Sequence, residues 1–353
     1  MQLIDRYIGI TIATVTSIVM LVFLALLSFS TFVNELGDVG KGSYTLGQAS
    51  LYVLLTMPRL AYQLFPAVAL LGSIIGLGVL ASHSELLVLR AAGVTLARII
   101  GAVMKSGLLL AVLAVLLGEW VAPPAEKAAQ IMRSGALNNT ITVTSQAGFW
   151  ARDGENFVQV NDIFSDSALG GVTIYAMEGY QLREVISAKV ANYVDNQWLL
   201  GGVQRSRLSE SGVVTETRQE LPWRSLLNPD LIGVVAVKPE FLSAWGLWQY
   251  VAFLDENGLD AGRYKQAFWK KIVSPLATAV MVFLAIPFVF GPLRSVTAGQ
   301  RVVVGTFVGI GFYLVNEVFG FVGLVYGLNP LMSALLPTLL FFGLGLYLTR
   351  RIL

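Results

Sequence analysis

Residues 8–33 read IGITIATVTSIVMLVFLALLSFSTFV, 26 positions without one charged side chain. About 20 predominantly apolar residues in a helix cross the roughly 30 Å of a bilayer's hydrocarbon, so this stretch is long enough to span a membrane. Five further stretches satisfy the same condition. The second begins near Ser50 and ends near Ala81, with Pro58 and Pro66 as expected kinks. The third runs from Ile99 to about Val121, with Lys105 close enough to its start to snorkel. The others run from Ile272 to Phe290, from Val302 to about Val325, and from Leu331 to Thr349. The first stretch does not fit a secretory signal: it is long, it lacks a small-x-small cleavage site before Asn34 and Glu35, and more spans follow it.

Composition agrees with this reading. Of 353 residues, 55% are hydrophobic and only 13% charged, against about 25% charged in a soluble domain. Mean hydropathy is +0.69. Residues 122–240 hold 10 of the 24 Lys and Arg and 13 of the 22 Asp and Glu. The order is therefore membrane, water-exposed insert, membrane. A net charge of +2 is too mild for a nucleic-acid partner, which demands concentrated basic stripes. The absence of cysteine excludes disulfides, thiolate metal sites and Cys nucleophiles.

Loop charges orient the spans. With the N-terminus inside, Arg6, Arg90, Arg98, Arg294, Arg301, Arg350 and Arg351 fall in cytoplasmic segments, while the two short outer loops contain only Lys41. Both termini are expected inside, and the insert between spans three and four outside. The insert reads as strands: Thr140 to Thr144 alternates with period two, and Phe157–Val160, Val172–Tyr175, Val185–Tyr193, Trp198–Val203 and Val213–Thr217 are short β-rich runs. Asp153-Gly154, Asp195-Asn196 and Ser211-Gly212 punctuate them as turns. A sandwich or jelly roll is expected. The chain thus divides into 1–134 (three helices and a short cytoplasmic helix near 82–93), 135–240 (the β domain) and 241–353 (a connector and three helices).

Sequence motifs for catalysis are missing. No GxxxxGK[ST] run can wrap a nucleotide's phosphates, and Gly40-Lys41-Gly42-Ser43 reads as a glycine loop. Gly76 to Ala81 fits GxGxxA only formally, having no preceding strand. Gly72 and Gly76 at GxxxG spacing point instead to close helix packing. GxSxG and HExxH are both missing, and the single His83 cannot build a metal cluster.

Two constellations remain. Ser82-His83-Ser84-Glu85 reads as a capping box that opens a short helix ending at Gly93. That helix is too short to span, and it suits docking to a cytoplasmic partner or lying on the lipid surface. The second constellation is a set of cations at the outer face: Lys41, Arg59, Lys127, Arg133, Arg263, Lys265, Lys270 and Lys271. They suit ion pairs with Glu35, Asp38, Glu126 and Asp260, headgroup contacts, or the grip on an anionic amphiphile. Glu317, beside Asn316, lies 16 residues beyond Arg301, which at about 1.5 Å per residue is about 24 Å, near the outer interface. It suits a cavity lining or a pair with a cation. A membrane enzyme acting on a lipid through Glu317 or the insert's carboxylates, and a purely structural scaffold, are the competing classes.

The chain also resembles the lipopolysaccharide-export permease family (LptF/LptG type), its LptG branch most closely. The resemblance is carried by Leu3-Ile4-Asp5-Arg6-Tyr7-Ile8, Phe65-Pro66, Ala69 to Gly72, Ser84-Glu85-Leu86, Ala92-Gly93, Gly118 to Pro123, Asp260 to Tyr264 and Phe290 to Ser295. It implies an α-helical integral membrane protein with six transmembrane helices and an inserted periplasmic β-jelly roll, in the bacterial inner membrane. It implies a permease without its own nucleotide site, paired with an LptF-like homologue over a dimer of LptB-like ABC ATPases that hold ATP and Mg. A periplasmic jelly-roll bridge and a membrane-anchored LptC-like regulator are further implied partners, and lipopolysaccharide the substrate. By the same resemblance Glu85, Arg90 and Gly93 meet the ATPase. Lys41, Arg59 and Arg133 face substrate phosphates, and Thr31 stands where some relatives carry Lys; Asn316 and Glu317, from their place near the outer interface, complete the candidate substrate contacts.

Overall fold

The computed structural model describes residues 3–137, 149–290 and 297–351, apart from 154, 155, 166, 180, 196, 210, 211, 224, 226–228, 230–238, 257 and 259. Two compact units are present. The first comprises Met1–Thr31, Thr56–Pro124 and Lys265–Leu353; the second comprises Phe32–Leu55 and Ala125–Tyr264.

Among the described residues, six helical segments are long and apolar enough to cross a membrane. They are α1 (Leu3–Leu36), α2 (Leu46–Ser82), the continuous segment Leu96–Leu137, α7 (Gly262–Phe290), α8 (Ala298–Val325) and α9 (Pro330–Arg350). All six expected spans are present, each longer than its uncharged stretch, because helical hydrogen bonding continues through polar residues at the interfaces. Segment Leu96–Leu137 consists of α4 (Leu96–Leu116), a π-turn (Leu117–Val121) and α5 (Ala122–Leu137). The expected end at Val121 is the end of the π-turn. Pro123 and Pro124 do not stop the helix, because they fall in the first turn of α5, where a missing N–H is tolerated.

Local chemistry fixes the helix starts. Thr45 and Gln48 exchange side-chain and backbone hydrogen bonds before α2, and Thr297 and Gln300 do the same at α8. Asn329 accepts the Leu331 N–H at 3.0 Å ahead of Pro330 in α9.

In the first unit, Ile8 and Ile12 pack with Phe65, Ala69, Ile99, Val103, Val282 and Ile286, and a second cluster joins Leu70, Ile74, Met281, Leu284, Phe312 and Phe341. Gly72 and Gly76 do serve close packing: a Cβ on Gly72 would lie 2.5 Å from Thr16 Cα, and one on Gly76 3.4 Å from Ile12 Cα. The apolar window of α2 is 72% buried, whereas those of α1 and α8 are 11% and 17% buried. These two helices therefore turn most of their hydrocarbon outward.

In the second unit, six antiparallel strands form one sheet in sequence order: β1 (Phe149–Asp153), β2 (Asn156–Ser165), β3 (Ala168–Glu178), β4 (Gln181–Val194), β5 (Gln197–Ser209) and β6 (Gly212–Trp223). The all-β insert is thus present, and five of the six expected runs lie within β2 to β6. Thr140 to Thr144 lies outside the described residues, and β1 carries too weak an alternation to have been expected. Among the described strands each pairs with its sequence neighbour, an up-and-down order without the Greek-key crossover of a jelly roll. Val158, Val160, Leu169, Val172, Ile174, Ala188, Ala191, Leu200 and Val203 are buried. Register places Val160 against Val172, Ala188 against Val203 and Ala191 against Leu200, so each pair shares a face. The same unit contains α6 (Ala244–Glu256), whose Tyr250 meets Tyr264 edge to face at 4.5 Å.

Candidate functional site

The short helix expected near residues 82–93 exists as α3 (Glu85–Ala91). Its start differs from expectation. Ser82 ends α2 and donates to Val79 O at 2.9 Å, while Ser84 occupies the N-cap at φ 59° without a side-chain cap. His83 and Ser84 form the two-residue turn between α2 and α3, where Ser84 takes the left-handed conformation instead of closing the capping box. Glu85 is thereby free to turn elsewhere: its Oε2 accepts from Tyr7 Oη at 2.7 Å, and its other oxygen lies 3.8 Å from His83 Nδ1. The end of α3 matches expectation. Gly93 at φ 89° donates to Arg90 O, and Val94 donates to Leu89 O, the paired bonds of a left-handed helix stop. Leu86 is buried in the core of the first unit, while Leu87 and Val88 are 57% and 64% exposed. Arg90 sits in the last turn, where a cation complements the helix dipole.

Beside α3, Asp5 is 1% exposed and ion-paired to Arg98 at 2.9 Å and Lys105 at 2.6 Å. Lys105 therefore does not simply snorkel; it holds α1 against α4.

The cations expected at the outer face are largely engaged. In the second unit, Arg133 Nε donates to Glu35 Oε2 at 2.8 Å and its Nη2 to Asp38 Oδ2 at 2.6 Å, with its guanidinium 5.5 Å from the Tyr52 ring. Lys41 Nζ donates to Asp38 at 2.7 Å, and that hydrogen bond, with the nearby charges, holds the Asp38 carboxyl below its usual range. Gly40 and Gly42 have positive φ in the turn between α1 and α2, and Ser43 N–H donates to Ala136 O at 2.7 Å. A Cβ on Gly42 would lie 2.6 Å from Ala136 O, so that GKGS run is a docked turn. Arg263 pairs with Glu240 at 3.4 Å. Glu126 accepts from Gln130, and Asp260 from Gly262 N–H.

In the first unit, Arg59 donates to Gln63 at 3.2 Å, Thr31 to Leu27 O at 2.9 Å, and Lys270 to Glu317. Asn316 is half-buried beside Glu317. Lys271 lies 3.4 Å from Glu119 and 5.5 Å from the Tyr62 ring. The structure therefore brings Lys41 and Arg133 to one acidic cluster, and places Arg59, Thr31, Asn316 and Glu317 in the other unit.

The profile of the family described as "Lipopolysaccharide export system permease LptF/LptG" matches residues 6–351. The chain belongs to the LptF/LptG permease family. The Escherichia coli K12 protein named "Lipopolysaccharide export system permease protein LptG" is 41% identical over 351 residues, covering 98% of both chains. Its Haemophilus influenzae counterpart of the same name is 38% identical over 350 residues, again covering 98% of both. These relatives are named as permeases of a transport system, not as enzymes. This LptF/LptG permease is a multi-pass membrane protein.

Two contacts in the permease escaped the sequence reading. Arg301, expected in a cytoplasmic segment, is 5% exposed and donates to Gly78 O. Its side chain fills the space that a Cβ on Gly78 would need, 2.6 Å from Nη1. The GxG at Gly76 and Gly78 was the available signal, since an unexplained glycine in a helix marks close approach. Tyr7 was quoted only as part of a motif, and its partner Glu85 lies 78 positions away.

Proposed function

We propose that this permease is the LptG-type subunit of an ABC transporter that extracts lipopolysaccharide from the bacterial inner membrane. It passes the lipid to a periplasmic bridge for export to the outer membrane. The observation that carries this reading is the match to curated LptG proteins over 98% of the chain, in a protein with six spans and an inserted β domain. ATP, with Mg, is hydrolysed in a dimer of LptB-like subunits. An LptF-like permease, an LptC-like regulator and the jelly-roll bridge complete the assembly. Residues 1–134 and 241–353 form the membrane part and residues 135–240 the periplasmic domain.

In this reading α3 is the docking element, with Glu85, Arg90 and the Gly93 turn against the ATPase. Its support is an exposed outer surface on a helix too short to span. Lys41, Arg59 and Arg133 are separate contacts for anionic groups of the lipid, and Thr31, Asn316 and Glu317 are further substrate contacts. Lys41 and Arg133 are already paired, so lipid phosphates must compete with Asp38 and Glu35 for them.

Purification of the intact complex, followed by identification of its bound lipid, tests the proposal. The expected result is co-purification of an ATPase with chemically unaltered lipopolysaccharide that moves to an acceptor when ATP is hydrolysed. A lipid recovered cleaved or modified by this chain without an ATPase would instead establish the membrane-enzyme reading.

A further inference from the structure

The geometry points to Tyr7 as the positioning residue that transmits movement of α3 to the membrane helix α1. This inference rests on the transporter reading, and on three features of the first unit.

The first feature is the contact itself. Tyr7 Oη donates to Glu85 Oε2 at 2.7 Å, joining the second turn of α1 to the first residue of α3. Tyr7 is 51% exposed, so burial of its ring does not dictate where its hydroxyl lies. The second feature is the anchor two residues earlier. Asp5, 1% exposed, holds Arg98 at 2.9 Å and Lys105 at 2.6 Å, both on α4. Successive helical residues are separated by about 100°, so Asp5 and Tyr7 project from nearly opposite sides of α1. One side is tied to α4 and the other to α3. The third feature is the sparse packing of α1 over its apolar window, only 11% buried although Ile8 and Ile12 lie in the core, so fewer packed side chains hold that window than hold that of α2.

Two attachments on opposite sides of a cylinder form a couple. A displacement of α3 relative to α4 therefore turns α1 about its own axis, provided both attachments hold. The Asp5 attachment is buried and doubly charged. The Tyr7 attachment is a single neutral donor on a carboxylate, and it is the one that moves with α3. Gly93 in the left-handed conformation and Ser84 at φ 59° bracket α3 with tight turns, so that α3 shifts as a short piece between two turns.

The test uses the complete complex in proteoliposomes and measures lipopolysaccharide moved per ATP hydrolysed. Tyr7→Phe removes the hydroxyl and keeps the ring. The expected result is an assembled complex that still hydrolyses ATP, with lipid moved per ATP lowered about five-fold, the scale of a partly solvated hydrogen bond to a carboxylate. Para-aminophenylalanine at position 7 restores an N–H donor at the place of the hydroxyl and should recover part of the ratio. An unchanged ratio in Tyr7→Phe, beside an active wild-type complex, would overturn the role of Tyr7 and leave the transporter reading intact. Loss of assembly in both variants would show the contact to be merely structural and also overturn it. A wild-type complex that hydrolyses ATP and moves no lipopolysaccharide would refute the transporter reading, and this inference with it.

Discussion

Arg133 Nε donates to Glu35 Oε2 across 2.8 Å, joining residues 98 positions apart. Glu35 is 7% exposed and also accepts the Tyr44 hydroxyl at 2.8 Å, while the same guanidinium reaches Asp38. An arginine placed at the outer face by charge counting is thus also the counterion of a buried carboxylate. Its removal has a structural consequence before any effect on substrate. Arg133→Ala is expected to destabilise the protein by about 2 kcal/mol, below the range for a fully buried pair because the arginine is partly solvated. Thermal unfolding in detergent measures this, and Glu35→Gln in the same chain should return part of the loss. Additive effects of the two changes would show that the pair is not coupled.

Helix packing gives a sharper contrast. A Cβ at Gly72 would meet Thr16 Cα at 2.5 Å, and backbone cannot swing aside, whereas Gly101 has nothing within 4 Å. Gly72→Ala should therefore cost about 1–3 kcal/mol through forced separation of α1 and α2. Gly101→Ala should be neutral or stabilising by up to about 1 kcal/mol, as for glycine replaced inside a helix. Equal melting temperatures for the two variants would contradict the crossing geometry.

The sheet has an acid-sensitive pair. Glu184 accepts from Arg205, with Nη2 at 2.9 Å from Oε2. That hydrogen bond is the main cause holding the Glu184 carboxyl below its ordinary value of 4.5. A carboxyl with a lowered folded value binds protons more readily in the unfolded chain. Its contribution is therefore complete above pH 4.5 and disappears as pH falls through the lower folded value. Glu184→Gln should flatten the stability profile below pH 4.5, as followed by chemical unfolding between acid and neutral pH.

Reversal of the α3 carboxylate probes docking. Glu85→Lys would set a cation against Tyr7 and, in the proposed assembly, against the ATPase surface that receives a carboxylate, where disrupting a buried hydrogen-bonded charged contact costs about 2–5 kcal/mol. Less ATPase should co-purify, and lipid-stimulated hydrolysis should fall. Normal values for both would remove Glu85 from the interface.

Topology can be read by labelling, since the chain has no cysteine. A single Ser187→Cys, exposed on β4, should react with an impermeant thiol reagent in spheroplasts, and His83→Cys should react only after the membrane is opened. The reverse pattern would invert the orientation.

The sequence by itself determined the six spans, because crossing hydrocarbon requires a run of apolar residues that is visible without knowing its neighbours. It also determined the inserted β domain through period-two alternation, and the stop of α3 at Gly93, both of which are local properties. Glycine spacing forecast the close crossing at Gly72 and Gly76. Tertiary structure alone decided which charges meet. Glu85 could have closed a capping box with Ser82, and only the two-residue turn at His83 and Ser84 sends it to Tyr7. Asp5 finds Arg98 and Lys105, Arg301 finds a backbone carbonyl at Gly78, and Arg133 finds Glu35. Charge gives long polar side chains a sign and a reach but no address, and their partners are set by helix crossings dozens of residues away in the chain.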